Sequence, residues 1–501
     1  MTTSTGARST TLAELSGRRQ RDVAVECGNV QLTWADLDER TNAVAAGLEA
    51  LGAEPGSHVA ICVSNRAEFV EAVLGAWRTG CAYTPLKTGW TPDEVGYVLD
   101  DAKTKVVIAD RDGARAAAVE RGLPVIDLDY GYDEWLARQS RSAPPDDRCG
   151  YKMPYTSGTT GRPKGVVMTG AGTTPFATGW TGLQRWAEVL SLSGDGVHVF
   201  LSRLFNGAPQ TFGFGALARG ATLRILPRWS AADGLAALGH DEVTSTIMVP
   251  TMFRQLLALP GVDRHTQPAP GLQTLLHGGE PCPAAVKEAI ADWFGDVLVE
   301  YYGFTEGGLT ITHAREWRDR PNTVGRPIPD MHVEIHASDG SQLPTGETGT
   351  VFFRSDAGRR FTYAGDESKT DGAHLGDAFT VGDIGYVDDD GFLYLCGRSA
   401  DVVITAGVNV SPAEIEAALA DVAGVADMCA VGMPDEEVGE VIALHVVLAP
   451  GAAESCVRDE LDRTAQKRLA PYKRPRAVHV VGSIPRDETG KLLRRVLRGA
   501  V

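Results

Sequence analysis

The sequence predicts an α/β protein with a large N-terminal domain of stacked α/β subdomains, a β-rich subdomain, and a small α+β C-terminal domain. Three observations lead there. Strand-like and helix-like stretches alternate through the first third of the chain. Around Thr348 the texture changes to short strands between Gly/Asp turns. After Gly397-Arg398 a second α/β pattern restarts and runs to the end. Alternation of this kind argues for a mostly parallel sheet with helical crossovers.

The elements follow in order. Val59-Ala60-Ile61-Cys62-Val63 reads as a buried strand. Ala67 to Arg78 follows as a helix, with Phe69, Val70, Val73, Leu74 and Trp77 at helical spacing and Gly80 closing it. Thr91-Pro92-Asp93-Glu94 is a capping box with proline at the first helical position, opening a helix through Leu99. Val106-Val107-Ile108-Ala109 is a short strand entered from Lys105. Gly349-Thr350-Val351-Phe352-Phe353-Arg354 and Gly391-Phe392-Leu393-Tyr394-Leu395 read as strands of the β-rich part. The boundary is expected at 397/398, giving domains 1–397 and 398–501. The second of these is long enough for a core of its own. Within it, Ser411-Pro412-Ala413-Glu414 reads as another capping box, with a helix through Leu419.

Composition narrows the function classes. The 501 residues are 43% hydrophobic and 23% charged, with a net charge of −17. That charge argues against a nucleic-acid or anionic-membrane surface. No apolar run reaches the ~18 residues of a membrane span. The Ser/Thr-rich start has no apolar leader. The eight cysteines form no CxxC pair, so zinc and redox motifs are unsupported. Reduced thiols and a cytoplasmic location are the expectation.

The richest stretch is Tyr155-Thr156-Ser157-Gly158-Thr159-Thr160-Gly161-Arg162-Pro163-Lys164-Gly165. Four small hydroxyl residues, three glycines and a lysine fall within ten positions from Thr156. Glycine lets backbone approach an anion, and N–H, O–H and ammonium groups all donate to phosphate oxygens. It is not the common nucleotide P-loop, which needs Gly-Lys-Ser/Thr in succession. Lys164 instead lies between Pro163 and Gly165. Further motifs follow in order: His277-Gly278-Gly279-Glu280-Pro281, Tyr302-Gly303-Phe304-Thr305-Glu306, Gly346-Glu347-Thr348-Gly349, Gly382-Asp383, Gly397-Arg398 and Pro485-Arg486-Asp487-Glu488-Thr489-Gly490-Lys491.

In this order and spacing the motifs resemble the adenylate-forming superfamily over nearly the whole chain, and its acyl-CoA synthetases in particular. The resemblance implies activation of a carboxylic acid by ATP to an acyl-adenylate, then transfer to coenzyme A, with Mg²⁺ as cofactor. It implies that Thr156, Ser157, Gly158, Thr159, Thr160 and Lys164 hold the β- and γ-phosphates. Gly278, Gly279, Glu280, Pro281 and Tyr302 would line the adenine slot. Thr305 would contact the α-phosphate, and Glu306 would hold the metal. Asp383 would accept the ribose hydroxyls with support from Arg398, and Lys491 would bridge acyl carboxylate and α-phosphate. Alternation of a mobile C-terminal domain is implied, pivoting at Ala400, with Ala406 and Gly407 shaping the CoA tunnel. Taken singly, each residue has a plainer reading: Tyr302 as core, Glu306 as a cap, Asp383 as a turn, Lys491 as an exposed lysine.

Three positions depart from the family pattern. Asn206 stands where a histidine or other aromatic ring orients the carboxylate, and asparagine carries no positive charge. Ala400 replaces the usual Asp or Lys pivot. Ala406 replaces a glycine. These leave two readings: drift with both half-reactions intact, or weak adenylation with thioester formation retained. The acyl wall is expected from Asn206, Gly207, Ala208, Phe212, Gly213, Phe304, Gly307 and Gly308. Small and apolar, it points to a bulky hydrophobic acid. Expected partners are that acid, ATP or acyl-AMP, and CoA, with a homodimer as the expected assembly. Competing readings are an acyl-AMP ligase loading a carrier protein in trans and a non-catalytic nucleotide- or acyl-binding protein. A dinucleotide oxidoreductase fails, because Gly213-Phe214-Gly215 is followed by Ala218 where the third glycine should fall.

Overall fold

The computed structural model describes residues 11–144, 148–156, 163–398, 401, 403–405, 408–435, 439–486 and 492–498. The fold is mixed α/β, with a large N-terminal and a small C-terminal domain.

A five-stranded sheet runs in the order Val125–Asp127, Thr104–Ala109, His58–Cys62, Ala82–Pro85 and Tyr151–Lys152, with every pairing parallel. Its strands alternate between two cores. Val59, Ile61, Val106 and Ile108 join one apolar cluster, and Ala60, Cys62, Val107 and Ala109 the other. Strand side chains point to opposite faces in turn, and both faces here are covered by helices. The helix Ala67–Arg78 forms as its spacing predicts. The Thr91 capping box closes as expected: the hydroxyl accepts from Glu94 N at 3.3 Å, and Glu94 Oε2 accepts from Thr91 N at 2.8 Å.

Strands Val197–Phe200, Thr222–Ile225, Val243–Met248, Thr274–His277 and Leu298–Gly303 form the parallel centre of a nine-stranded sheet, with antiparallel strands at its edges. The helix Gly207–Arg219 lies between these two sheets. Its Gln210 meets Tyr83 of the five-stranded sheet, and its Phe212 meets Tyr301 of the nine-stranded one. The β-rich part is an antiparallel sheet that includes Gly349–Ser355, Asp383–Val387 and Leu393–Arg398. In the small domain, Val403–Thr405, Val408–Val410, Val425–Asp435, Gly439–Leu448 and Ala477–Val480 share one sheet. Its core includes Val403, Ile415, Leu419, Leu444 and Leu461. No described helix is long and apolar enough to cross a membrane.

Two local expectations are corrected. The strand placed at Gly391–Leu395 begins at Leu393 and runs on to Arg398. Asp388 Oδ1 accepts from Asp390 N at 3.1 Å and from Phe392 N at 2.8 Å, and that turn consumes Gly391 and Phe392. The helix Pro412–Leu419 forms, but Ser411 makes no side-chain cap. Its buried hydroxyl lies 2.6 Å from where a Cβ on Gly397 would stand, so it packs on the preceding strand instead.

Candidate active site

The segments flanking the Ser/Thr/Gly-rich loop are paired. Tyr155 stands opposite Gly165, and Thr156 opposite Lys164, in an antiparallel register. Ser157, Gly158, Thr159 and Thr160 lie outside the described residues. Lys164 Nζ stands 4.0 Å from Asp366 Oδ2. A third strand, Phe361–Tyr363, pairs with the strand that Lys164 opens, setting Tyr363 opposite Val166. Tyr363 Oη then donates to Glu306 Oε1 at 2.8 Å. Glu306 is buried at 6% exposure, whereas Thr305 beside it is exposed. Burial first, and the Glu306 carboxylate second, raise the Tyr363 phenol above the ordinary tyrosine range.

A second polar knot forms where three strands end. Tyr302 Oη donates to Asp383 Oδ2, and Arg398 Nε donates to Asp383 Oδ1 at 2.8 Å. Asp383 and Arg398 face each other across one ladder, while Tyr302 comes from the large parallel sheet. Burial, then the neighbouring carboxylate, push the Tyr302 phenol well above its usual value. A carboxylate has about four acceptor positions, so Asp383 retains capacity beyond these two bonds. The Tyr302 ring packs near Phe304 and Phe353, at centroid distances of 6.0 and 6.2 Å.

Gly278 and Gly279 are glycines for identifiable reasons. A Cβ on Gly278 would stand 2.3 Å from the Tyr301 carbonyl oxygen, and Gly279 has φ +82°. Glu280 turns its buried carboxylate away from solvent. Oε1 accepts from Thr251 N at 2.5 Å, and Oε2 accepts from Arg486 Nη1 at 3.3 Å. Pro281 is exposed. Arg486 also donates to both oxygens of Asp427, at 3.1 and 2.9 Å, so it links the small domain to the Gly278–Pro281 segment. Lys491, Ala400, Ala406 and Gly407 lie outside the described residues.

Asn206 occupies the N-cap of the Gly207–Arg219 helix, but its side chain makes no capping bond. Gly207 is uncrowded: outside its chain neighbours and its own helix backbone, the one described atom within 4 Å of an added Cβ is Lys152 Nζ, in van der Waals contact at 3.8 Å. Ala208 is half-buried against the apolar cluster that holds Phe212. Gly213 packs tightly. An added Cβ would lie 1.9 Å from the Phe200 ring, so packing accounts for this glycine. Gly308 is similar, with the Phe304 ring at 2.4 Å. Phe304 packs edge-to-face on Phe353 and Phe379, at 5.3 and 6.1 Å, and Phe212 on Tyr301 at 5.0 Å. Gly307 has φ +117°, and a Cβ there would meet the Met168 methyl at 3.2 Å.

Residues 12–358 match the family described as AMP-binding enzyme, and residues 414–491 match the AMP-binding enzyme C-terminal domain. The chain belongs to the AMP-binding enzyme family. It is 32% identical to the long-chain-fatty-acid–CoA ligase FadD13 of Mycobacterium tuberculosis, over 94% of this chain and 93% of that one. It is 30% identical to the 3-[(3aS,4S,7aS)-7a-methyl-1,5-dioxo-octahydro-1H-inden-4-yl]propanoyl:CoA ligase of Rhodococcus jostii, over 95% of each. The o-succinylbenzoate CoA synthetase of Bacillus subtilis, solved with its acyl-adenylate intermediate, superposes with a TM-score of 0.84 at 26% identity, covering 98% of both chains. These matches make the AMP-binding enzyme described here an AMP-forming acid–thiol ligase that uses ATP and CoA.

Sequence reasoning about this AMP-binding enzyme missed Tyr363, Asp366 and Lys152. Tyr363 lies 57 positions from the Glu306 it binds, and no motif links them. Lys152 carried a readable signal, because it interrupts Cys149-Gly150-Tyr151-Lys152-Met153, a stretch otherwise free of charge.

Proposed function

We propose that this enzyme converts a bulky hydrophobic carboxylic acid, through its acyl-adenylate, to the CoA thioester. The observation that carries the reading is the convergence of three separated motifs. The strand opened by Lys164 pairs with the strand of Tyr363, Tyr363 holds Glu306, and four residues before Glu306 Tyr302 holds Asp383. Strand pairing and chain continuity thus bring the lysine of the loop, the buried carboxylate and the Asp383 acceptor into one region.

In this reading the acid carboxylate attacks the α-phosphorus of ATP and pyrophosphate leaves. The CoA thiolate then attacks the acyl carbon and AMP leaves. The first step brings two anions together, so cations and donors placed in advance lower its barrier. Lys164 and the loop at 156–160 would take the β- and γ-phosphates, with Thr305 at the α-phosphate. Asp383, oriented by Tyr302 and Arg398, would accept from the ribose. The backbone of Gly278-Gly279 would border adenine, since the Glu280 carboxylate is already occupied. Lys491 would neutralise charge between carboxylate and α-phosphate.

Magnesium suits Glu306. Among the described residues no three His, Cys, Asp or Glu cluster around a metal position, so a cation there would take its other ligands from phosphates and water. When bound, it would neutralise phosphate charge, and Tyr363 would hold the carboxylate in place for it. The domain boundary at 397/398 and the pivot at Ala400 belong to this proposal. So does the bulky acid, supported by the uncrowded Gly207 and by the two-ring acid named for the Rhodococcus relative.

The test is a panel of carboxylic acids, assayed for pyrophosphate release without CoA and for thioester with CoA. Acid-dependent release followed by thioester is the expected result. Slow release combined with fast thioester formation from supplied acyl-adenylate would replace it with a thioesterification-biased enzyme. No turnover of any acid by a chain that still binds nucleotide would overturn it.

A further inference from the structure

We propose that Lys152 is the charge-reading residue of the acyl site, its ammonium binding a carboxylate oxygen of the acid. The inference rests on the acyl-ligase reading above and narrows its substrate class.

Lys152 belongs to the edge strand Tyr151–Lys152 and points at the first turn of the Gly207–Arg219 helix. Its Nζ donates to the Gly207 carbonyl at 3.1 Å and to Thr211 Oγ1 at 3.1 Å. The Thr211 hydroxyl itself donates to the same carbonyl at 3.0 Å, so it can accept from the lysine. An ammonium has three protons, and these contacts use two. No carboxylate pairs with Lys152 among the described residues, and burial alone brings its pKa down to about 8. The Lys152 ammonium also lies beside the uncrowded Gly207, next to the uncharged Asn206.

A second donor on the same strip lacks an acceptor. Gln210 is 1% exposed; its Oε1 accepts from Tyr83 Oη at 2.8 Å, while its Nε2 has no partner among the described residues. Tyr83 stands opposite Lys152 across the strand ladder, so both side chains leave the same face of the sheet toward the helix.

Lys287 shows what a lysine buried for structure looks like in this chain. It pairs with Glu300 and lies 4.5 Å from the centre of the Trp317 ring. Lys152 is only half-buried, and its ammonium bonds neutral oxygens where Lys287 has a carboxylate; a methionine of similar length would fill the place without a charge to balance. An anionic oxygen entering beside Gly207 would supply the missing partner. Two sources share this chemistry: the carboxylate that becomes activated, or a second carboxylate on the acid.

The experiment compares wild type with Lys152→Met and Lys152→Arg. Matched monocarboxylic and dicarboxylic acids are used as probes. The readouts are KM and kcat for pyrophosphate release, acid binding by calorimetry, and Tm. Lys152→Met is expected to raise KM and weaken acid binding at least tenfold while Tm holds or rises, with Lys152→Arg recovering most of the loss. A loss for both acid classes assigns the ammonium to the activated carboxylate. A loss confined to dicarboxylic acids assigns it to the second one. Unchanged KM and binding for both classes overturn the inference, as does a loss of Tm with acid affinity intact. Should Lys152→Met not fold, Lys152→Gln takes its place with the same readouts. A wild type that binds acid without releasing pyrophosphate would sink the ligase reading, and calorimetry would still decide the role of Lys152. A wild type that neither binds nor turns over any probe overturns both.

Discussion

On the side proposed for the nucleotide, Asp383 takes hydrogen bonds from Tyr302 and Arg398, and Glu306 takes one from Tyr363. On the side proposed for the acyl group, Phe212, Phe304 and Phe200 pack against rings or glycines; among the described residues Lys152 bonds only neutral oxygens, and Gln210 Nε2 has no acceptor. The first side holds carboxylates fixed by donors of the same protein, with acceptor capacity left over. The second is a largely apolar wall carrying an ammonium with no described anion and one amide donor with no described acceptor. Fixed carboxylates hold geometry for a ligand whose shape does not vary, as a nucleotide's does not. Donors without such partners remain to be matched by the substrate and therefore report its chemistry.

The largest effect expected on this contrast is on stability. Glu300→Gln removes the counter-ion of a deeply buried Lys287 and should cost about 3–5 kcal/mol. Denaturant unfolding checks this, and kcat of the remaining folded enzyme should be unchanged. Lys152→Met should show the opposite pattern, with stability kept and acid affinity lost. Equal destabilisation in both variants would erase the difference between the two lysines.

Next comes Lys491→Ala. If it supplies a preorganised cation, pyrophosphate release should fall about 10²–10³-fold, while thioester formation from supplied acyl-adenylate persists. Equal loss in both half-reactions would count against its assignment to adenylation alone.

Asp383→Ala strands both Tyr302 and Arg398 and should raise KM for ATP by about 10–100-fold, or ~1.4–2.7 kcal/mol, with KM for the acid little changed. A shift of the acid KM of the same size would break the division into two sides. Tyr363→Phe leaves the Glu306 carboxylate without its donor and should cost about 1 kcal/mol, or roughly fivefold in kcat/KM, read most clearly in the magnesium dependence.

A separate effect, spread over pH, is on stability. His277 is fully buried, and neither ring nitrogen has a partner among the described residues. Desolvation, then the nearby Lys287 charge, hold its pKa well below 6.5. The unfolded chain takes up a proton below about pH 6.5 that the folded chain refuses, so stability falls as pH drops below that value. The slope is at most about 1.4 kcal/mol per pH unit for one such group. Denaturant midpoints between pH 6.5 and 5 measure it, and His277→Phe should flatten it by about one proton.

The family and the mixed α/β fold were legible in the sequence, because the motifs proposed for the nucleotide are local. Glycines that must approach backbone, and polar residues that must donate or accept, tolerate few substitutes, so Gly278-Gly279, Glu306 and Asp383 stand out as motifs. The acyl wall was poorly legible. Glycine at 213 looks like a pocket in sequence, yet Phe200 fills the space beside it. Ser411 looks like a cap, yet its hydroxyl faces Gly397. Such outcomes depend on which residue a distant segment brings near, and neither residue type nor spacing records that.

The sequence by itself determined the alternating α/β pattern, the order of the motifs and the chemistry each could offer, because periodicity and backbone constraints are local. Only the tertiary structure decided that Tyr363 holds Glu306, that Arg486 reaches Glu280, and that Lys152 meets the Gly207 carbonyl with no anion among the described residues. Those are contacts between segments 50 or more residues apart. Their energies are set by burial and by partner, and both exist only once the sheets have packed.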